Sequence, residues 1–103
     1  MIRIAYLVMT DQQGDNDDTF VRTLLLPALR VLPGLRRVEA GFLAEKPFGS
    51  TAVRGIVDAW FDSEDEMNAA MASAEGKALA RAFMANPGAA VEMLVLRQDD
   101  DAA

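Results

Sequence analysis

The sequence predicts a single α+β domain whose strands and helices follow one another in the order βαββαβ. Four short segments are rich in apolar and β-branched residues, and two of them alternate in polarity with the period of a strand. Two longer segments place apolar residues at helical spacing. The chain has 103 residues, the length of one domain. We expect residues 1–98 to form this domain and residues 99–103 to form an acidic, disordered tail.

The first half of the chain predicts a strand, a helix and a second strand. Residues 2–9 are apolar on both faces, as in a strand that is covered on both sides. A polar loop over 11–18 precedes a helix that ends at Leu32-Pro33-Gly34, and Pro27 should kink this helix because proline donates no backbone hydrogen bond. The apolar face of the helix consists of Val21, Leu24, Leu25, Ala28, Leu29 and Leu32. In residues 35–44 a less polar side, Val38, Ala40 and Phe42, alternates with Arg37, Glu39 and Gly41.

The second half predicts a strand, a helix and a last strand. Residues 54–62 form the third strand, with Ile56, Asp58 and Trp60 on one face and Val57, Ala59 and Phe61 on the other. Ser63 and Glu66 fit a capping box at the start of the second helix. That helix extends to Phe83, with a possible break between Ser73 and Gly76, and Asn86-Pro87-Gly88 ends it. Residues 89–97 form the fourth strand.

An antiparallel sheet of these four strands would carry both helices on one face and leave the other face uncovered. Strands one, three and four have apolar residues on both sides, so the uncovered face would be an exposed apolar surface. A second copy that packs sheet against sheet would bury this surface. We therefore expect a homodimer formed through the sheet faces.

The composition excludes several classes of function. The net charge is −6 and the ten Lys and Arg residues form no long run, so neither nucleic acid nor a membrane surface is expected as a partner. No segment suggests a signal peptide or a membrane span, which makes the cytoplasm the expected location. Because the chain has no Cys and no His, it lacks thiolate nucleophiles, a Ser-His-Asp triad and the commonest metal ligands. No metal and no cofactor are expected.

Two segments resemble EthD-like proteins. One is PALRVLPGLRR at positions 27–37, and the other is AWFDS at 59–63 followed by ASAEG at 72–76. The similarity extends from about residue 18 to residue 96. It implies a ferredoxin-like monomer within a dimeric α+β barrel, a superfamily that includes cofactor-independent monooxygenases, muconolactone isomerases and polyketide cyclases. EthD itself is named for ethyl tert-butyl ether degradation, where it is an accessory to an oxidative pathway.

One position departs from this resemblance. EthD-like proteins commonly have a histidine two residues before the helix proline, and this chain has Leu25 there. The helical pattern places Leu25 on the buried face, so a histidine at this position would point toward the sheet. If relatives use that histidine as an acid or base, this chain lacks their route. The resemblance therefore implies the fold more strongly than it implies catalysis.

Two carboxylates on the predicted strands are candidates for proton transfer. Asp58 lies in an otherwise apolar strand, where a partly desolvated carboxylate could act as a base or bind a ligand. Glu39 would share its face if the second and third strands pair, and two close carboxylates can share a proton. The structural alternatives are the more common ones: an ion pair of Asp58 with Arg37 or Arg54, and a solvated strand face for Glu39.

Tyr6 and Trp60 are each the only residue of their type, and both are candidates for a ligand pocket. The Tyr6 hydroxyl could orient or polarise a substrate, so Tyr6 joins Asp58 and Glu39 as a candidate catalytic residue. The predicted pocket is lined by Phe20, Leu24, Leu25 and Trp60. The alternative for both aromatic residues is packing in the core or in the dimer interface; it is favoured for Trp60 and evenly balanced for Tyr6.

Three classes of function fit these residues. The first is a metal- and cofactor-independent enzyme of the monooxygenase, isomerase or cyclase type, acting on an aromatic, polyketide-like or lactone compound in catabolism. It requires a closed pocket between the sheet and the first helix, which Leu25, Phe20 and Trp60 must not fill. The second is a non-catalytic ligand-binding or accessory protein of an oxidative degradation pathway that has lost the helix histidine. The third is a structural subunit that only associates.

Overall fold

A computed structural model describes residues 1–9, 21–45, 47–49, 52–85 and 91–98. The strands are β1 (Ile2–Met9), β2 (Arg37–Phe42), β3 (Val53–Phe61) and β4 (Val91–Arg97). Helix α1 consists of a π-helical turn, Val21–Leu25, and an α-helical segment, Leu26–Arg30. Helices α2 (Glu64–Ala72) and α3 (Ala74–Met84) together occupy the predicted second helix. The predicted order βαββαβ is confirmed. The predicted loop over 11–18 and the tail over 99–103 lie outside the described residues.

The four strands form one antiparallel sheet in the order β2-β3-β1-β4. In β1, Ile2, Ile4, Tyr6 and Val8 point toward the helices, opposite Phe61, Ala59, Val57 and Gly55 of β3. The other side of the sheet has no helix against it in the described part of the chain, and we call it the open face. Its residues are Arg3, Ala5 and Leu7 of β1; Arg37, Glu39 and Gly41 of β2; Ile56, Asp58 and Trp60 of β3; and Glu92, Leu94 and Leu96 of β4.

The hydrophobic core lies between the sheet and the helices. Strand residues such as Ile4 and Phe61 form one cluster with Leu25 and Leu29 of α1 and Leu79 of α3. None of the described residues that are buried is polar or charged, apart from the Tyr6 hydroxyl. The alternation predicted for β2 and β3 is confirmed by the strand register, so the polar side of both strands belongs to the open face. No described helix is long and apolar enough to cross a bilayer.

Helix α1 departs from regular α-helical geometry where the kink was predicted. The π-helical turn ends at Leu25, two residues before Pro27. Pro27 has no amide hydrogen to donate to the carbonyl of Thr23, and its ring crowds that carbonyl, so a wider turn at this point relieves the crowding. The α-helical segment ends at Arg30, earlier than predicted. Pro33 disfavours helical geometry at Leu32, and Gly34 turns the chain with φ +79°.

The second predicted helix is divided at Ser73. The Ser73 hydroxyl oxygen accepts a hydrogen bond from the amide of Gly76 at 3.1 Å, which caps α3, and the hydroxyl donates to the carbonyl of Ala70 at 2.5 Å, which closes α2. At the start of α2, Ser63 accepts from the Glu66 amide at 3.2 Å, as the capping box predicts. One serine thus ends one helix and begins the next.

Candidate functional site

Tyr6 lies at the middle of the central strand β1, between Val57 of β3 and Met93 of β4. Its side chain points under the helix layer and is completely buried. The Tyr6 ring stacks against the ring of Phe83, on the last turn of α3, with 5.8 Å between centroids and 28° between planes. We call this ring pair, together with the Tyr6 hydroxyl, the Tyr6 site. Phe83 was not singled out in the sequence, because nothing in its spacing indicates which strand residue it would meet.

The Tyr6 hydroxyl has no hydrogen-bond partner among the described residues. A buried donor without a partner destabilises a folded protein by about 1–3 kcal/mol, so such groups are rare unless a ligand or water completes them. Burial also raises the pKa of Tyr6 to about 12, because the phenolate is desolvated more than the neutral phenol. The group is therefore a neutral phenol throughout the physiological range, able to donate a hydrogen bond and unable to act as a base.

The surroundings of Tyr6 are apolar. The core cluster that contains it also contains Val21, Leu25 and Leu29 of α1, all completely buried. Leu25 occupies the position at which EthD-like proteins commonly have histidine, so this site has no imidazole in the helix layer above the sheet. Among the described side chains clustered here, the Tyr6 hydroxyl is the one polar group.

The residues predicted to line one pocket do not all meet. Leu25 is buried in the helix layer and Leu24 is partly buried, but Trp60 lies on the open face of the sheet. Phe20 lies outside the described residues. The prediction that Trp60 lines the same pocket as Leu25 is therefore wrong. Alternate residues of a strand point to opposite faces of the sheet, and Trp60 points away from the face on which α1 packs. Trp60 packs under two guanidinium groups instead.

One row of open-face side chains alternates cation, aromatic ring and cation across three strands. Arg37 and Arg3 are the register partners of Trp60 on either side. The guanidinium carbon of Arg37 lies 4.1 Å from the Trp60 ring centroid and that of Arg3 lies 5.9 Å from it. These contacts leave Trp60 only 6% exposed although none of the described helices covers it. The row is thus held by cation–π attraction and by burial of the indole.

The next row brings the two candidate carboxylates together. The sequence predicts that Glu39 and Asp58 share a face if β2 and β3 pair, and the structure makes them direct register partners. Each carboxylate has an arginine neighbour: Arg3 Nε lies 3.6 Å from Asp58 Oδ1, and Arg37 Nε lies 3.4 Å from Glu39 Oε1. The predicted ion pair of Asp58 with Arg37 or Arg54 is wrong in its partner, because β1, which carries Arg3, is the other neighbour of β3.

The three candidate catalytic residues lie on two sides of the sheet. Tyr6 is on the helix side, whereas Glu39 and Asp58 are on the open face. Their side chains point away from each other through the thickness of the sheet, so one pocket within a subunit cannot hold all three. A catalytic role for each remains a prediction. Among the described residues, no three carboxylates come close enough to hold a metal ion.

A concave surface lies at the end of the β2–β3 hairpin. It is a shallow, open depression of about 200 Å³ with an almost entirely apolar lining. Its lining residues are Gly41, Phe42, Leu43, Val53, Arg54, Gly55 and Ile56. The depression lacks a buried polar group that could orient a ligand, so it is a weaker candidate for specific recognition than the Tyr6 site.

Known proteins resemble this chain in structure. No protein-family model matches the sequence, and no curated protein is similar to it. An ethyl tert-butyl ether d (EthD) family protein from Bacillus halodurans C-125 superimposes with a TM-score of 0.83 at 20% identity, covering 96% of this chain and 99% of that chain. A dimeric ferredoxin-like protein of unknown function from Thermobifida fusca YX has a TM-score of 0.69 at 20% identity, covering 94% and 90%.

A protein described as a cofactor-independent oxygenase, SnoaB from Streptomyces nogalater, also has this fold. Its TM-score is 0.59 at 16% identity, and the match covers 96% of this chain and 92% of that chain. The predicted ferredoxin-like, EthD-like fold is confirmed by these similarities. The same fold serves small-molecule enzymes, but at these identities the likeness carries no particular reaction.

Proposed function

We propose that this protein binds a small organic molecule between the sheet and the helix layer, at the Tyr6 site. The observation that carries the proposal is the completely buried Tyr6 hydroxyl, which has no hydrogen-bond partner among the described residues. A ligand that accepts a hydrogen bond from this group would remove the cost of leaving it unpaired. An apolar enclosure with one orienting polar group is the usual composition of a small-molecule site.

Ligand binding without proton transfer fits the Tyr6 site better than acid–base catalysis does. The phenol keeps its proton up to a pKa of about 12, so it is not a base at neutral pH. Glu39 and Asp58 lie on the other side of the sheet, and Leu25 replaces the histidine of EthD-like proteins. These features favour a ligand-binding or accessory protein of an oxidative degradation pathway.

A second candidate is a metal- and cofactor-independent enzyme of the monooxygenase, isomerase or cyclase type. It is supported by the fold shared with SnoaB, which is described as a cofactor-independent oxygenase. In such an enzyme Tyr6 would donate a hydrogen bond to the carbonyl of an aromatic, polyketide-like or lactone substrate. Because Glu39 and Asp58 lie on the other side of the sheet, water would accept the proton that the substrate releases. The two carboxylates would then only form ion pairs with Arg3 and Arg37 on the open face.

We also propose that the protein is a homodimer formed through its open faces. This face exposes Ile56, Leu94 and Leu96 by 41%, 44% and 36%. It carries Arg3 and Arg37 against Glu39, Asp58 and Glu92, a balance of −1, whereas the whole chain carries −6. An apolar surface that is nearly neutral on an acidic molecule suits a second copy of the same chain, because it keeps the acidic surfaces of the two copies apart.

The function is tested by comparing wild type with Tyr6→Phe in a thermal-shift screen of aromatic, polyketide-like and lactone compounds. We expect some compounds to raise the melting temperature of wild type and to raise that of Tyr6→Phe less, because the variant cannot donate the hydrogen bond. Asp58→Asn is the matched control on the opposite face and should respond as wild type does. Compounds that bind are then assayed for turnover with a chelator present. Stabilisation that is equal in wild type and Tyr6→Phe would contradict the proposed site.

A further inference from the structure

The Tyr6 site differs from the other unpaired buried polar atoms of the described residues. Those atoms are Arg3 Nε and Asp58 Oδ1, which face each other at 3.6 Å on the open face and are of opposite charge. The Tyr6 hydroxyl has no such counterpart, since the residues clustered around it are apolar. Only the Tyr6 hydroxyl therefore needs a partner from outside the described residues, and the interaction that it needs is a hydrogen bond.

Charged groups are kept out of the layer that contains this atom. Arg30 on α1, Glu64 and Glu66 on α2, and Glu75, Lys77 and Arg81 on α3 are all exposed. Arg22 of α1 extends over the Phe42 ring at 5.0 Å, at the edge of the sheet. A ligand with a formal charge would lose its hydration beside Tyr6 and find no opposite charge among the described groups, which opposes its binding strongly.

The Phe83 ring lies against the buried Tyr6 ring and reaches the surface. Tyr6 is completely buried, whereas Phe83, stacked on it, is partly exposed and is followed by Met84, which is 82% exposed. The last turn of a helix is held by fewer backbone hydrogen bonds than its middle, so Phe83 sits at the part of α3 that opens most easily. A flat ligand could lie against Tyr6 as the Phe83 ring does now.

From this geometry we infer that the Tyr6 site selects uncharged, planar molecules that present a hydrogen-bond-accepting oxygen, and that Phe83 controls their entry. The inference rests on the proposed ligand site and adds the chemical class of the ligand and the residue that admits it. The phenol supplies the hydrogen bond, the apolar layer rejects charge, and the displaced Phe83 ring leaves space for another ring. Phe83 acts on specificity and access, and it takes no part in bond making.

Three probes of nearly the same shape separate these requirements. Acetophenone presents an accepting oxygen, α-methylstyrene replaces that oxygen by a methylene group, and benzoate adds a negative charge. Binding constants are measured by calorimetry at neutral pH with the full chain. We expect acetophenone to bind wild type roughly fivefold more tightly than α-methylstyrene, the value of one net hydrogen bond, and benzoate to bind at least about tenfold more weakly than acetophenone.

Two variants assign the effects to residues. In Tyr6→Phe the preference for acetophenone over α-methylstyrene should fall to about onefold, because the hydrogen bond is lost. Phe83→Ala should increase the association rate of acetophenone severalfold, and Met84→Ala, beside it on the exposed surface, should leave this rate unchanged. Phe83→Leu retains apolar volume without the flat ring, and it is measured alongside Phe83→Ala, with circular dichroism to show that each variant is folded.

Each result decides between defined conclusions. Equal binding of acetophenone and α-methylstyrene to wild type overturns the requirement for an accepting oxygen, and benzoate binding as tight as that of acetophenone overturns the exclusion of charge. The proposed ligand site is decided separately, by the thermal-shift difference between wild type and Tyr6→Phe. An unchanged association rate in both Phe83 variants overturns the role of Phe83. If none of the probes binds wild type or either Phe83 variant, the ligand class and the proposed site are both wrong.

Discussion

The Tyr6 hydroxyl couples the folding of this domain to alkaline pH. The pKa of Tyr6 is about 12 in the folded chain, against about 10 for a tyrosine in an unfolded chain. The stabilising effect of the folded, neutral phenol is fully present below pH 10 and is lost as the pH rises through 12, since the unfolded chain releases its proton first. Two pKa units correspond to about 3 kcal/mol, a large part of the stability of a small domain.

We expect Tyr6→Phe to be less sensitive to alkali than wild type. Urea unfolding between pH 9 and 12 should show a wild-type loss of up to about 3 kcal/mol that the variant lacks, and the lysines and arginines common to both proteins cancel in the difference. Tyr6 is the only tyrosine, so the near-ultraviolet absorbance of tyrosinate reports its ionisation directly. Ionisation at the ordinary pKa of free tyrosine would show that the phenol is not buried.

The Arg3–Asp58 pair should contribute modestly to stability and nothing to ligand binding. In a single chain the two side chains are 34% and 20% exposed and 3.6 Å apart, so water and salt screen their attraction. The protein is therefore studied at a concentration low enough to dissociate the open-face homodimer. We expect Asp58→Asn to lower the free energy of unfolding by about 1 kcal/mol or less, and Arg3→Gln to do the same, with the double variant less affected than the sum. Denaturant titration of the four proteins measures this coupling, and fully additive losses would show that the pair is not formed.

The sequence could predict which residues share a strand face but not which strands supply the neighbours. Asp58 and Trp60 were assigned to one face of β3 by the alternation of polarity, and the structure confirms it. Which arginine pairs with Asp58 depends on the register between β1 and β3. A register shift of one residue would move every side chain of the strand to the opposite face of the sheet. For the same reason the opposite placement of Tyr6 and Asp58 could not be read from either strand alone.

At the scale of elements, the change of direction between α2 and α3 depends on Gly76. A methyl group added to Gly76 would clash with the backbone carbonyls of Ala70 and Met71, which cannot move without unwinding α2. We expect Gly76→Ala to destabilise the domain by at least about 2 kcal/mol, despite the better helix propensity of alanine. Gly41→Ala is the matched control, because a methyl group there meets nothing within 4 Å in the chain. Equal thermal stability of the two variants would contradict this role of Gly76.

The elements were predictable where local chemistry defines them. Ser63 and Ser73 have hydroxyls that cap the helices that follow, and both signals were visible in the sequence. Pro27 predicted that the helix would be distorted but not whether it would kink or widen. Both distortions accommodate the missing backbone N–H and relieve the crowding of the proline ring against the preceding turn. Helix α1 ends early, at Arg30, because of the combined effect of Pro33 and Gly34. The spacing of apolar residues alone does not predict this end.

At the scale of the whole molecule, the uncovered side of the sheet follows from the number of elements. Two helical segments cover one face of four strands, and apolar residues on both sides of β1, β3 and β4 predicted a second apolar surface. Which residues carry function on either side could not be predicted, because it depends on contacts between distant segments such as that of Tyr6 with Phe83. The fold follows from repeated patterns, whereas the candidate site depends on a few single contacts.

The open-face homodimer can be tested with two neighbouring residues of β4. Leu94 is on the open face in the row of Asp58 and Glu39, whereas Val95 pairs with Ile4 and points to the helix side. Their exposures, 44% and 47%, are nearly equal. Leu94→Glu would bury a carboxylate in each copy, and the cost of several kcal/mol per charge should give a monomer at micromolar concentration. Val95→Glu adds the same charge outside the interface and should remain a dimer. Light scattering after size-exclusion chromatography measures both masses, and a wild type that is monomeric, or a dimer lost equally in both variants, would count against this interface.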